Sequence, residues 1–120
     1  MLDIRPSPKK DGGLKMDINL FNKAITHVSK TIDSELQLQT LRAFLFIAQR
    51  GSCSQKDVEN ELGITNASAS RNVSYWTDRR FDRKPGLGFV ERVEDEYERR
   101  YKTLTLTLKG REFFEELRSL

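Results

Sequence analysis

Apolar residues recur at helical spacing in "MDINLFNKAITHVSKTID", where Phe21, Ile25, Val28 and Ile32 predict an amphipathic helix over about 17–32. One face of it must be buried, either within the domain or against a partner. A wider apolar arc follows in "LQTLRAFLFIAQRG": Leu38, Leu41, Phe44, Leu45 and Ala48 stay in register until Gly51, which predicts the central core helix. In "SQKDVENELG", Ser54 precedes Asp57 by three residues, the spacing at which a hydroxyl and a carboxylate each satisfy a backbone amide at a helix start. Val58 and Leu62 face inward there, and Gly63 ends the helix. Only Ile64 and Thr65 separate that glycine from a further helical pattern, "NASASRNVSYWTDRR", so the two helices form a helix-turn-helix.

The second helix of the pair, expected over about 66–79, carries an apolar stripe of Ala69, Val73 and Trp76. Asn66, Ser68, Ser70, Arg71 and Ser74 occupy the rest of its surface. Ser and Asn stabilise an exposed helix poorly, because their short side chains compete for backbone hydrogen bonds, but they reach base edges and phosphates well. The alternative is that these small polar residues only cap the helix start.

After the loop "RRFDRKPGLG", the alternating segments "FVERV" and "RYKTLTLTL" are joined by "EDEYE" and predict a β-hairpin over about 89–106. Leu104, Leu106 and Leu108 fall on one face, and Thr103, Thr105 and Thr107 on the other. Thr107 is placed to cap a last helix whose Phe113, Phe114, Leu117 and Leu120 make an apolar face.

Composition narrows the function. A chain of 120 residues forms one domain with a modest core, read as a flexible arm over 1–15 and a single domain over 16–120. No apolar run approaches the roughly 20 residues that span a bilayer, and the start "MLDIRPSPKKDGG" lacks the continuous apolar segment of a secretory signal, so no membrane partner and a cytoplasmic location are expected. Cys53 and His27 are each the only residue of their type, which excludes an internal disulfide and leaves structural zinc without its ligand set. No Cys-His or Ser-His-Asp arrangement and no phosphate-cradling glycine loop is present, so neither an enzyme nor a cofactor is expected. A redox role for Cys53 would need a lowered thiol pKa, for which Lys56 one turn on is thin support.

The net charge is +3, and the stretch from Arg71 to Lys84 alone, with Arg79, Arg80 and Arg83 against Asp78 and Asp82, reaches that same balance. A cation-rich stretch beginning on the helix-turn-helix points to nucleic acid.

Three helices, a recognition helix, a two-stranded hairpin and a closing helix are the order of a winged helix-turn-helix domain, mainly α with a β-hairpin wing. At this point the chain resembles the MarR (multiple antibiotic resistance regulator) family, from about Leu38 to Leu117: "LRAFLFIAQRGSCSQKDVENELGITNASASRNV", then "GLGFVERV", then "ERRYKTLTLTLKGREFFEEL". Leu106, Thr107 and Gly110 match the family's exit from the wing. The resemblance implies a wing tip at which an acid, here Glu98 where Asp is usual, orients arginines that enter the minor groove, here Arg99 and Arg100. The plain alternative is a solvated hairpin end.

Two departures stand out. The Arg79–Gly88 loop is longer than the family's link, and its Arg79, Arg80, Arg83 and Lys84 either touch phosphates or stay mobile. The sequence ends at Leu120, before the long C-terminal helices that build the family's dimer and effector pocket, so effector binding is not carried over. A homodimer reading a palindrome is still expected, paired through the first helix or the Phe113, Phe114, Leu117 and Leu120 surface; the alternative is that these residues pack only within the monomer. The leading expectation is therefore a sequence-specific, double-stranded DNA-binding protein, a small transcriptional regulator. The alternative keeps the fold but makes it an accessory factor for replication, packaging or recombination, or a protein-interaction module.

Overall fold

The computed structural model describes residues 15–98 and 102–120. Residues 1–14 of the arm expected over 1–15, and Arg99 and Arg100, expected at the wing tip, lie outside the described residues.

Helix α1 (Ile18–Thr31) starts where the Asp17 carboxylate accepts from the Leu20 amide at 3.1 Å, and α2 (Leu38–Arg50) ends at Gly51. Strand β1 (Ser52–Ser54) leads into α3 (Gln55–Leu62), and the turn at Gly63 leads into α4 (Asn66–Ser74). Strands β2 (Val90–Glu94) and β3 (Lys102–Leu106) form the wing, and α5 (Leu108–Arg118) closes the fold. The winged helix expectation holds, with one addition. The sheet has three antiparallel strands in the order β1-β3-β2, with Cys53 opposite Leu104 on one side and Arg92 opposite Leu104 on the other.

An aromatic cluster holds the helices to the sheet. Phe44 of α2 lies 4.8 Å from Trp76, 5.8 Å from Phe113 and 6.0 Å from Phe89, centroid to centroid, while Phe89 and Phe113 stack at 5.1 Å. Each such pair adds about 0.5–1.5 kcal/mol beyond the area it buries. Val58, Ala69, Val73, Val90, Leu104 and Leu106 complete the core. His27 bridges α1 to α5, its Nε2 2.5 Å from a Glu116 carboxylate oxygen and its ring stacked on Phe113.

Four expectations change. Leu38 and Leu108 share the helical or strand period of their neighbours but are exposed, because each is the first residue of a helix and lies beyond the core. On α2 the buried arc is instead Thr40, Leu41, Ala43, Phe44 and Ile47. On α1 only Val28 is buried, with Ile32 packed against the core just past the helix; Phe21 and Ile25 remain open. Helix α4, expected as a recognition helix reaching about 79, stops at Ser74. The Trp76 carbonyl there accepts from both the Phe89 amide at 2.7 Å and the Val90 amide at 2.9 Å, which draws the chain out of helical geometry and into the wing.

Gly110 is required by a close approach. A Cβ at that position would sit 2.0 Å from the Phe89 carbonyl oxygen, so α5 could not lie this near the start of β2 with any other residue.

Candidate nucleic-acid interface

The helix-turn-helix is built by caps. Ser54 and Asp57 form the expected reciprocal pair, the Asp57 amide donating to Ser54 Oγ at 3.1 Å and the Ser54 amide to the Asp57 carboxylate at 2.9 Å. Those bonds, the backbone one first, lower the Asp57 pKa. Gly63 takes the left-handed conformation (φ 66°), and Thr65 caps α4 by accepting from the Ser68 amide at 3.1 Å.

Each face of α4 has a separate task. Ala69 and Val73 turn inward, and Trp76 just beyond the helix joins them, all fully buried as the stripe predicted. On the flank toward α2, Asn72 donates to Gln39 Oε1 at 3.1 Å and to the Ser68 carbonyl at 2.8 Å, and accepts from the Thr40 hydroxyl at 2.7 Å. Ser68 also bonds Gln39. On the flank toward the wing, Arg92 of β2 donates to Ser74 Oγ at 3.0 Å and to the Ser70 carbonyl at 3.3 Å. The outward face carries Arg71.

The candidate residues thus divide. Asn66 is exposed and bonded across the turn to Glu59 at 3.0 Å. Ser68 and Ser70 are half-buried, and Arg71 is exposed. Ser74, expected on the open surface, is buried at 6%, because Arg92 reaches over it. Arg92 itself did not emerge from the sequence, although a signal existed: in "FVERV" it shares the period-two face of buried Val90. It is half-buried with no carboxylate partner among the described residues, and burial lowers its pKa.

The basic loop is a small hydrogen-bonded hairpin. Arg79 bridges to Pro85, the Arg80 amide donates to the Lys84 carbonyl at 3.0 Å, and Arg83 turns the chain with φ 67°. Its base is clamped by the Gly86 amide on the Asp78 carbonyl and the Gly88 amide on the Thr77 carbonyl. Arg80 lies over the Tyr75 ring at 5.0 Å and pairs with Asp82 at 3.1 Å. Arg71, Arg79, Arg83 and Lys84 form no ion pair with a described carboxylate.

Cys53 lies buried on β1, and burial, with Asp57 adding to it, pushes its thiol up to about 11. The lowered pKa that a redox role would need is thus reversed in sign. Native protein is expected to react with iodoacetamide at pH 7 at least about tenfold more slowly than urea-unfolded protein, read by mass spectrometry. Equal rates would show the thiol to be open. Among the described residues no three His, Cys, Asp or Glu side chains gather so as to hold a metal ion, and no helix is long and apolar enough to cross a membrane.

No protein-family model matches the sequence, and no curated protein matches it. Solved structures do match. A MarR-like transcriptional regulator from Thermotoga maritima is 25% identical, with a TM-score of 0.60 over 88% of this chain and 75% of that one. A mutant MarR from E. coli complexed with operator DNA is 15% identical, with a TM-score of 0.61 over 85% of this chain and 63% of that one. FabT from Streptococcus pneumoniae in complex with DNA is 17% identical, with a TM-score of 0.59 over 85% of this chain and 71% of that one. The chain therefore spans between 63% and 75% of the length of these structures. Likeness at this level of identity is one of fold.

Proposed function

We propose that this chain, whose fold is the winged helix of the MarR-like regulators, is a sequence-specific double-stranded DNA-binding protein and a small cytoplasmic transcriptional regulator rather than an enzyme. The observation that carries the reading is that two hairpins contact α4. Arg71 is exposed, Arg92 ties the wing to one flank, and the basic hairpin meets the C-terminal end of the helix at Arg71 and Tyr75, with Arg79, Arg83 and Lys84 open to solvent. Arg71, with Asn66, Ser68 and Ser70 beside it, reads the major groove. Arg99 and Arg100, expected at the wing tip, enter the minor groove, where narrow width concentrates negative potential and arginine desolvates more cheaply than lysine. Arg79, Arg83 and Lys84 serve the phosphates, while Arg80, paired with Asp82 over the Tyr75 ring, holds the hairpin to the helix.

A second copy of the chain completes the reading. Ile18, Phe21 and Ile25 line one side of α1 and remain open, as does Leu38. An isologous pairing over that stripe sets two recognition helices on half-sites about one helical turn apart.

The test is selection of duplexes from a randomised pool by the wild-type protein, followed by fluorescence anisotropy across a salt series. Wild type is expected to enrich a palindrome. The Arg99→Ala, Arg100→Ala double variant should bind it more weakly with a shallower salt slope, and Arg71→Ala should lose discrimination worth about 1–3 kcal/mol at one base pair. A protein that binds no duplex above the non-specific level is instead a protein-interaction module or an accessory factor, with the α1 stripe as the place to seek its partner.

A further inference from the structure

We propose that Phe81, at the head of the basic hairpin, positions the Arg71 guanidinium for base reading, so that this hairpin sets sequence discrimination through a side chain on another element. The proposal rests on the reading of Arg71 as a base contact.

Phe81 is 67% exposed, a costly place for a large apolar ring that packs into no core. What it does touch is Arg71, whose guanidinium carbon lies 6.0 Å from the ring centroid. A cation over an aromatic face is attracted by the ring's quadrupole, and the contact leaves the donors at the guanidinium edge available to a base. The ring can serve as a shelf only if it is itself held. The hairpin is fixed at its base by the Gly86 and Gly88 amide bonds, across its middle by the Arg80–Lys84 bond, and at Gly86 by backbone so close that a Cβ would lie 1.8 Å from the Thr77 carbonyl oxygen.

A second contact of the same kind fastens the hairpin to the helix end. Arg80 lies over Tyr75, the residue that caps the C-terminus of α4, and Asp82 steadies Arg80 from within the hairpin. Two arginine–aromatic contacts therefore cross between helix and hairpin in opposite directions. One anchors the loop, and the other lets the anchored loop hold an arginine. An arginine ordered before DNA arrives loses less rotamer freedom on binding, and the gain goes to the sequence whose base edge lies where the guanidinium already points.

Phosphate contacts from Arg79, Arg83 and Lys84 would act differently, strengthening binding to every sequence alike. The test uses the full chain with Phe81→Ala, Phe81→Trp, Arg71→Ala and the Phe81→Ala, Arg71→Ala double variant, on the duplex selected by wild type and on its single-base variants. Phe81→Ala is expected to reduce discrimination at the Arg71-dependent base pair by about two- to fivefold, the range of an exposed cation–π contact. The salt slope and thermal midpoint should stay at wild-type values, Phe81→Trp should keep the discrimination, and the double variant should be no worse than Arg71→Ala. Additive losses in the double variant, or a uniform fall across sequences with a shallower salt slope, would overturn the proposal. If the wild-type protein selects no sequence, the regulator reading falls and carries this one with it. NMR of the free protein separates the two failures: ring-current shifts on the Arg71 side chain that vanish in Phe81→Leu establish the shelf itself, and unchanged signals remove it.

Discussion

Replacing Trp76 with alanine is expected to cost about 3–5 kcal/mol of stability, the range for truncating a large buried aromatic. Trp76 is fully buried, contacts the Phe44, Tyr75 and Phe89 rings at 4.8, 5.2 and 6.1 Å, and donates its indole N–H to the Thr40 carbonyl at 2.8 Å. It therefore joins α2, the end of α4 and the start of β2. Typical domains are stable by about 5–15 kcal/mol, so the variant should be largely unfolded at a urea concentration where wild type is native. Trp76→Phe keeps one ring, loses the bond to Thr40 and leaves a smaller void, and should cost about 1–3 kcal/mol, less than the alanine variant. The check is urea unfolding followed by circular dichroism. A loss below about 1.5 kcal/mol in the alanine variant would mean that the aromatic cluster is not what holds the recognition helix to the sheet.

Gly110→Ala carries the second large effect, and here two physical terms oppose one another. Helix propensity favours alanine over glycine by about 1 kcal/mol inside a helix. Steric overlap works against it, since the new Cβ would lie 2.0 Å from the Phe89 carbonyl oxygen and 2.8 Å from its carbon, both of them backbone that cannot swing aside. The same Phe89 carbonyl accepts the Thr107 amide at 2.9 Å, and Thr107 in turn caps α5 and donates to the Gly88 carbonyl at 2.6 Å. A shift of α5 large enough to relieve the overlap breaks this joint. Net destabilisation of about 1–3 kcal/mol is expected, seen as a lowered thermal midpoint, despite the propensity gain. A higher midpoint would mean that α5 does not approach β2 this closely.

The parts of the fold that were legible in the sequence are those written in short-range chemistry. Ser54 with Asp57, and Thr107 before Gly110, are caps whose partners lie within three residues, and each forms as spacing predicts. The Ala69, Val73 and Trp76 stripe is legible for the same reason. What escaped depends on partners distant in the chain. β1 is three residues long and has no period of its own; it is a strand only because β3, some fifty residues later, offers it a ladder. Arg92 looks like a polar residue on a wet strand until α4 supplies Ser70 and Ser74 beneath it. Leu38 and Leu108 show that a period identifies a face without saying how far along the element the core extends. The loop after α4 reads in the sequence as either a phosphate contact or a mobile link, with no signal of the turn at Arg83 and the backbone bonds at its base that make it a second hairpin.

The pairing of β1 with β3 bears on the order in which the chain becomes competent. Ser52 to Ser54 emerge well before their ladder partners Thr103 to Thr105, which follow about fifty residues later. Closing so wide a loop costs entropy that local helix contacts do not, so α3 and α4 can form their capped turn well before the sheet exists. Until β3 arrives, the edge of β1 is unpaired and β2 has no neighbour. The wing is therefore seated beside α4 only once β3 has joined both β1 and β2, so the two-sided DNA grip proposed for this fold depends on its most distant strand pairing.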